Sequence, residues 1–131
     1  MKLKMKCNST FEEIERIGTE IRNIYRKKIN DQKAFELELI FNEICSNIIR
    51  HGYRCCKSGI IEVQLDNLKD DTVEIIIMDS SPKFDPINYK EKLGEFENLE
   101  KGGMGLYIIK KIARDLEYKY ENNKNIYKII V

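Results

Sequence analysis

Glu43 and Asn47 are the first two residues whose types and spacing could carry out chemistry. If residues 32–53 form a helix, these side chains lie one turn apart, about 6 Å, on the same helix surface. A carboxylate can accept a proton, and an amide oxygen suits a hard cation such as Mg²⁺. The pair could therefore supply a general base and a metal ligand. The alternative is an amphipathic helix on which the Glu-x-x-x-Asn spacing has no function.

Asp79 is a second candidate, because it stands where an apolar segment ends and a turn-rich one begins. A half-buried carboxylate at the end of a strand is a good acceptor for an exocyclic amine such as that of adenine. The alternative is that Asp79 only starts a turn, since Ser80, Ser81 and Pro82 follow it.

Gly102, Gly103 and Gly105 form a third candidate, a glycine-rich segment that leads into a predicted helix. Glycine lets bare backbone approach a ligand, and a helix N-terminus presents unpaired N–H groups that suit phosphate. The segment is neither a Walker loop nor a Rossmann fingerprint, because no Gly-Lys-Ser/Thr follows and no strand closely precedes it. The alternative is an ordinary turn before a helix.

Hydrophobic periodicity predicts the elements that must position these residues. Helices are too few to cover both faces of a parallel sheet. We therefore expect an α+β fold, a two-layer α/β sandwich in which a mixed, mostly antiparallel sheet carries three helices on one face. We expect one domain, residues 1–131. The predicted order is a strand at 2–7, helices at 11–28 and 32–53, strands at 60–65 and 72–78, a loop, a helix at 106–116 and strands at 117–121 and 126–131.

The composition excludes several classes of protein. The chain has 23 Lys and Arg against 22 Asp and Glu, so its net charge of +1 gives no electrostatic basis for general binding to nucleic acid or a membrane surface. We find no signal-peptide pattern and no apolar segment of membrane-spanning length, and we expect a cytoplasmic protein.

The cysteines give no zinc signature, because no Cys-x-x-Cys pair is present and the chain has a single histidine. We expect Cys7, Cys45, Cys55 and Cys56 to be reduced thiols, as is usual in the cytosol. The alternative for the adjacent pair, Cys55 and Cys56, is a redox role.

The ordered set Glu43, Asn47, Asp79 and Gly102-Gly103-Met104-Gly105 resembles the Bergerat-type ATP-binding fold shared by gyrase and histidine kinases. Within that fold, the chain is similar to the small stand-alone anti-sigma factor serine kinases. The details that carry this second resemblance are the helix end at residues 47–53, the segment at 82–86, the short lid at 87–101, the stretch at 105–109 and the final strand pair with Asn125 in its turn.

The resemblance implies a role for each site residue. Asn47 would hold Mg²⁺, and Glu43 would be the general base that activates a Ser or Thr hydroxyl. Asp79 would accept a hydrogen bond from the adenine amine, with Ser81 beside it. The residues that would surround the phosphates are Gly102, Gly103 and Gly105, with Met104 and Leu106 contributing backbone and packing.

Ser81 departs from the family pattern, which has glycine two residues after the adenine-binding Asp. A side chain at this position would either crowd the adenine or place a hydroxyl where a water-mediated contact is otherwise made. The departure leaves nucleotide affinity open.

By resemblance, the expected function is that of an ATP- and Mg²⁺-dependent serine/threonine protein kinase in transcription regulation. Its partners would be an anti-anti-sigma antagonist, which it phosphorylates, and a sigma factor, and it would be a homodimer. No nucleic acid or membrane is expected as a partner. Two alternatives remain. Ser81 favours a nucleotide-gated regulatory module with little or no phosphotransfer, and the other alternative is an interaction domain that has lost ATP binding.

Overall fold

The fold is a five-stranded antiparallel sheet with helices packed on one face. The structure is a computed structural model that describes residues 2–85 and 104–131; for residues 104–106 it describes the backbone only. Its elements are β1 (Lys2–Asn8), α1 (Phe11–Lys28), α2 (Asp31–Asn47), a π-helical turn (Ile48–Gly52), β2 (Ile60–Asn67), β3 (Val73–Asp79), α3 (Met104–Ile112), β4 (Asp115–Glu121) and β5 (Lys124–Ile130).

The strands lie in the order β1-β2-β3-β5-β4, and every pairing among the described strands is antiparallel. The predicted α+β sandwich with a mostly antiparallel sheet is confirmed. The central strand is β3, and its last residue, Asp79, lies between Ile61 of β2 and Asn125 of β5. The predicted adenine acceptor therefore sits in the middle of the sheet, at the end of its central strand.

Period-two alternation explains why Asp79 points inward. Val73, Ile75 and Ile77 of β3 are buried toward the helices, and Asp79 is the next residue in that series. The strand that supplies the core thus also carries a carboxylate into it.

Side-chain caps fix where the first two helices begin. Thr10 accepts a hydrogen bond from the Glu13 N–H at 3.2 Å, and Asn30 accepts one from the Lys33 N–H at 2.8 Å. The predicted start of the first helix at residue 11 is confirmed, and the predicted gap before the second helix is where Asn30 caps α2. The two helices pack against each other over the sheet, burying residues that the helical period places on one side: Ile14, Ile17, Ile21 and Tyr25 of α1, and Leu37, Phe41 and Ile44 of α2.

The second helix is not one continuous α-helix over residues 32–53, and this prediction was wrong. Its α-helical part ends at Asn47, and the chain continues as a π-helical turn in which the Tyr53 N–H donates to the Ile48 carbonyl, five residues earlier, at 2.8 Å. A π turn places one extra residue in the turn, and such turns are frequent at functional sites. Hydrophobic periodicity does not reveal a single inserted residue.

The last helix ends earlier than predicted. It runs from Met104 to Ile112, whereas Leu116, predicted at its end, lies in β4. The Arg114 N–H donates to the Ile130 carbonyl at 2.7 Å, so pairing with β5 draws the chain out of the helix.

The terminal hairpin turn has two residues, not the four predicted at 122–125. Asn122 and Asn123 both have positive φ, 54° and 62°, the conformation of the tight turns that asparagine tolerates. Asn125 is therefore already part of β5, and it is completely buried.

All four cysteines are free, Cys7 and Cys45 buried and Cys55 and Cys56 exposed. In the residues that the structure describes, no cluster of three or more His, Cys, Asp or Glu side chains could hold a metal ion. No helix in that part of the chain has both the length and the apolar character needed to cross a membrane.

Candidate functional site

Asp79 is a buried carboxylate whose two oxygens have different surroundings. Its Oδ1 atom accepts hydrogen bonds from the Ser81 N–H at 2.8 Å, from the Asn125 Nδ2 atom at 3.1 Å and from the Ser81 hydroxyl. Its Oδ2 atom is buried and has no hydrogen-bond partner among the described residues. Because an unpartnered buried acceptor costs free energy, native proteins leave few of them, and a ligand donor would complete this one.

Burial raises the pKa of Asp79 above its usual value of 3.8, and the hydrogen bonds from Ser81 and Asn125 oppose that shift. The side chain is only 2% exposed. A raised pKa at a carboxylate with a vacant acceptor atom is typical of a binding site rather than of a turn. The pattern favours the adenine-acceptor hypothesis over the turn hypothesis.

Ser81 stands at the position where the family pattern described above has glycine. Its hydroxyl is bonded to Oδ1 of Asp79 and not to the unpartnered Oδ2. The hydroxyl donates to Asp79 Oδ1 and receives a hydrogen bond from Asn125 Nδ2 at 3.3 Å. Ser81 is 3% exposed. The hydroxyl thus leaves Oδ2 unoccupied, and the departure at this position is compatible with an amine donor reaching Asp79.

Gly52, at the end of the π-helical turn, makes room for Ser81. A Cβ atom added at Gly52 would lie 2.5 Å from the Ser81 Oγ atom and 3.1 Å from its Cβ atom. The two positions are therefore complementary, because the serine side chain at residue 81 fits only if residue 52 has no side chain. This contact also joins the end of the α2 segment to the Asp79 segment.

Gly52→Ala is expected to lower the free energy of unfolding by about 1–3 kcal/mol, because the added methyl group overpacks against the serine. Adding Ser81→Gly to the same protein should recover most of the loss. Urea unfolding of the two single variants and the double variant measures this coupling. Equal stability of Gly52→Ala and the unmodified protein would contradict the contact.

Asn125 completes the site from β5, and the sequence did not identify it as a site residue. Its Nδ2 atom donates to Asp79 and to the backbone oxygens of Ser81 and Pro82, at 3.1, 3.1 and 3.3 Å. Its Oδ1 atom accepts from the Phe84 N–H at 3.0 Å and from the Tyr118 hydroxyl at 2.6 Å. This amide holds the whole turn that follows Asp79. The only signal from the residues themselves was an asparagine close to two others, in a stretch where composition suggested a turn.

Glu43 and Asn47 lie one turn apart in the last part of α2, as predicted. Asn47 is 1% exposed, its Nδ2 atom is buried without a partner among the described residues, and Glu43 is half-buried. The helix α2 packs against β3, and Gly52, at the end of the segment that continues α2, contacts Ser81, two residues after Asp79. The helix that carries Glu43 and Asn47 thus lies against the strand that ends at Asp79, and a shared site for the three side chains stays a prediction.

Of the residues predicted to bind phosphate, the structure describes the backbone of residues 104–106 only. Gly102 and Gly103 lie outside the described residues, as does the lid at 87–101, whereas Met104 begins α3 and Gly105 and Leu106 continue it. This helix packs against α2, the helix that carries Glu43 and Asn47. Phosphate binding by the five residues 102–106 stays a prediction.

The sequence signature of the family described as Histidine kinase-like ATPase domain matches residues 7–131. The chain belongs to this family. The match takes in all the site residues predicted above, and the expected resemblance to the gyrase and histidine-kinase type of ATP-binding fold is confirmed.

Several relatives of this chain are serine-protein kinases. The chain is 28% identical over 98 residues to Serine-protein kinase RsbW of Bacillus cereus, with 70% of this chain and 59% of the relative covered. It is 25% identical over 97 residues to Serine-protein kinase RsbW of Bacillus licheniformis, with 70% and 60% covered. The match thus spans about three fifths of the length of these kinases, and the predicted resemblance to this kinase group is confirmed.

Two solved structures share the fold. The SiaB-SiaC complex from Pseudomonas aeruginosa matches with a TM-score of 0.63 and 16% identity, over 98% of this chain and 88% of the other. The histidine kinase domain of the Erythrobacter litoralis EL346 blue-light activated histidine kinase matches with a TM-score of 0.59 and 12% identity, over 92% and 59%. At these identities the likeness establishes the fold alone.

Proposed function

We propose that this protein is an ATP-dependent serine/threonine protein kinase that acts as an anti-sigma-factor-like partner switch and phosphorylates an anti-anti-sigma antagonist. The observation that carries the nucleotide part is the unpartnered Oδ2 atom of Asp79, a buried acceptor at the end of the central strand. Membership of an ATPase domain family and similarity to serine-protein kinases support the same conclusion.

The residues fit ATP and Mg²⁺. Asp79 Oδ2 suits the amine of adenine, and the Asn47 amide, whose Nδ2 atom has no partner among the described residues, can turn its oxygen to Mg²⁺ and its nitrogen to a phosphate oxygen. When bound, Mg²⁺ supplies neutralisation of the phosphate charge. The bare backbone of Gly102, Gly103 and Gly105 is proposed to surround the phosphates at the start of α3.

Glu43 is proposed to be the general base. It lies one helical turn before Asn47, so a carboxylate and a metal-binding amide face the same space. Its task is to accept the proton of a serine hydroxyl as that oxygen attacks the γ-phosphorus and ADP leaves. Phosphoryl transfer requires little else from the protein than positioning and charge neutralisation.

A second candidate function is a nucleotide-gated binding module with little phosphotransfer. Ser81 is the observation that favours it, because its hydroxyl and the Gly52 contact fill space that glycine leaves open. In this case ATP would change which partner is bound without being consumed. Sigma-factor binding and homodimer formation are further proposals that rest on the resemblance.

ATP titrated calorimetrically into the protein with and without Mg²⁺ tests the nucleotide site. Asn47→Ala is expected to weaken Mg²⁺-dependent ATP binding by about a hundredfold, or about 2.7 kcal/mol, because the proposed ligand is lost. Asn23→Ala is the matched control, since Asn23 is exposed on α1. If the unmodified, folded protein does not bind millimolar ATP, the kinase proposal fails.

Glu43→Gln separates the two candidate functions. The kinase proposal expects this variant to bind ATP normally but to transfer radiolabelled phosphate to candidate antagonists at less than about 1% of the normal rate. Glu36→Gln, nearly two turns earlier on α2, is the control. Unchanged partner regulation in Glu43→Gln would support the binding module instead.

A further inference from the structure

The adjacent thiols of Cys55 and Cys56 are exposed on the loop of residues 53–59, which connects the π-helical turn to β2 and which we call the cysteine loop. The other two cysteines, Cys7 and Cys45, are buried, and burial raises the pKa of both thiols. Small oxidants therefore have access to one pair of neighbouring thiols and not to the other two cysteines.

The Cys56 thiol has a hydroxyl partner that can stabilise its thiolate. Its Sγ atom lies 3.2 Å from the Ser58 hydroxyl, and this hydrogen bond lowers the pKa of the thiol below its usual value. Cys55 lines a surface cavity of about 470 Å³ with Phe11, Ile49 and Lys57. The Cys56 thiol is thus the one activated toward an oxidant, and the neighbouring Cys55 thiol can attack the oxidised Cys56 sulfur.

We propose that Cys55 and Cys56 form a reversible redox modification site, at which a peroxide closes a disulfide between adjacent residues and thereby loosens the Asp79 side of the nucleotide site. In the first step the Cys56 thiolate attacks a peroxide oxygen, giving the sulfenic acid and hydroxide. In the second step the Cys55 thiol attacks the Cys56 sulfur, forming the S–S bond and releasing water. Overall, two thiols are oxidised and one hydrogen peroxide is reduced to two waters.

A disulfide between adjacent residues is expected to be easily reduced. Consecutive Cα atoms are about 3.8 Å apart across a trans peptide, below the usual disulfide range of about 4.4–6.8 Å. Strained disulfides have higher reduction potentials and are the labile, regulatory ones. The pair is therefore suited to switching rather than to holding the fold together.

Ring closure requires the peptide between the two cysteines to turn, and hydrogen bonds anchor that peptide and the peptides on either side of it. The Cys55 N–H donates to the Ile49 carbonyl at 2.7 Å, the Cys56 N–H donates to the Tyr53 carbonyl at 3.0 Å, and the Cys56 carbonyl accepts from the Ser9 hydroxyl. These contacts hold the cysteine loop to the π-helical turn and to the end of β1. Closing the disulfide would disturb all three.

Tyr53 connects the cysteine loop to the nucleotide site. Its hydroxyl donates to the Ile60 carbonyl at 2.7 Å and accepts from the Ser80 N–H at 2.9 Å, directly after Asp79. Gly52, the residue before Tyr53, packs against Ser81. Movement of the cysteine loop is thereby transmitted to the two residues that follow the adenine acceptor, and this part of the inference rests on the proposed function.

Mass spectrometry of the full chain after treatment with hydrogen peroxide tests the modification. The expected product is lighter by two hydrogens, about 2 Da, with the change confined to the peptide that contains Cys55 and Cys56, restored by dithiothreitol and absent from Cys55→Ser and Cys56→Ser. Cys7 and Cys45 in the same digest serve as internal controls. A disulfide-linked dimer, a sulfinic acid at Cys56, or no reaction would overturn the proposal.

Two readouts test the coupling. The amide resonance of Ser80 is expected to shift on oxidation, whether or not nucleotide binds, and an unchanged resonance would overturn the coupling. ATP should bind the oxidised protein about tenfold more weakly than the reduced protein, whereas peroxide should not change the affinity of the Cys55→Ser/Cys56→Ser double variant. Equal affinities would also overturn it. If the reduced protein binds no ATP, the proposed function fails, while the mass and resonance measurements still decide this inference.

Discussion

Asp79→Asn is expected to abolish ATP binding, with an affinity loss of at least about a hundredfold, while the fold persists. The substitution puts one of two groups in place of Oδ2. An amide nitrogen there would face the amine donor without an acceptor, and an amide oxygen there would accept without the charge that strengthens the hydrogen bond. Calorimetric titration of ATP measures the loss. Asp71→Asn is the control, because Asp71 lies in the distant turn before β3 with φ 58°, a conformation that asparagine tolerates.

The same variant should be at least as stable as the unmodified protein at neutral pH. Burial raises the pKa of Asp79, so the folded protein holds this proton more tightly than the unfolded chain does. Stability from this group is therefore full below the usual carboxyl pKa of 3.8 and decreases as the pH rises through the raised value. Urea unfolding measures the free energy of unfolding of both proteins. The difference, Asp79→Asn minus the unmodified protein, should become more positive as the pH increases from about 4 to about 7.

A strongly destabilised Asp79→Asn at neutral pH would contradict this account. It would mean that the carboxylate is needed to hold Ser81 and Asn125 in place rather than being kept for a ligand. Normal ATP binding by a folded Asp79→Asn would contradict the adenine-acceptor role itself. The two outcomes are separate, because one is read from unfolding and the other from titration.

Asn125→Ala is expected to lower the free energy of unfolding by about 3 kcal/mol and to weaken ATP binding together with it. The substitution removes the acceptor of the Phe84 N–H and a donor to Asp79, and each unsatisfied buried group costs about 1–3 kcal/mol. Urea unfolding measures the loss, and Asn23→Ala, at an exposed position of α1, should change it by less than about 0.5 kcal/mol. A similarly small effect at Asn125 would show that this network does not hold the site.

Asn125→Asp distinguishes positioning from simple support of the fold. It retains an acceptor for the Phe84 N–H and the Tyr118 hydroxyl but places a second carboxylate beside Asp79 Oδ1, where the amide nitrogen now lies at 3.1 Å. Two carboxylates that share a site raise the pKa of one of them. The shared proton can replace the hydrogen that the amide donates, so ATP binding by this variant should be strongest at low pH and weaken as the pH rises and both groups ionise. A merely structural role would give weak binding at every pH.

Much of the fold could be predicted because local patterns and tertiary packing agree over most of the chain. The cap at Thr10, the break at Asn30 and the inward series of β3 are all local signals that the packed structure keeps. Leu116 shows where this agreement ends. Its spacing continues the helical stripe of α3, but pairing with β5 takes it into β4, and no local signal reports a strand partner.

The site could be predicted as far as residue type and sequence order carry information. Asp79 was identifiable because a carboxylate at the end of an apolar strand is unusual. Asn125 was not, because its function depends on lying opposite Asp79 in the sheet, a register that only the folded chain defines. The match between Gly52 and Ser81 was invisible for the same reason, since it joins two segments that are distant in sequence.

The central position of β3 has a consequence for how the site fluctuates. Both edges of this strand are hydrogen-bonded, to β2 and to β5, so its amides should exchange with solvent only when most of the sheet opens. The cysteine loop is held by hydrogen bonds to Ser9, Ile49, Ile60 and Ser80, but residues 54–58 are exposed and bury little apolar surface, so this loop can open locally at lower cost. A base bound at Asp79 would therefore contact a strand that opens only with the sheet, next to a segment, Ser80 and Ser81, whose neighbour can open on its own.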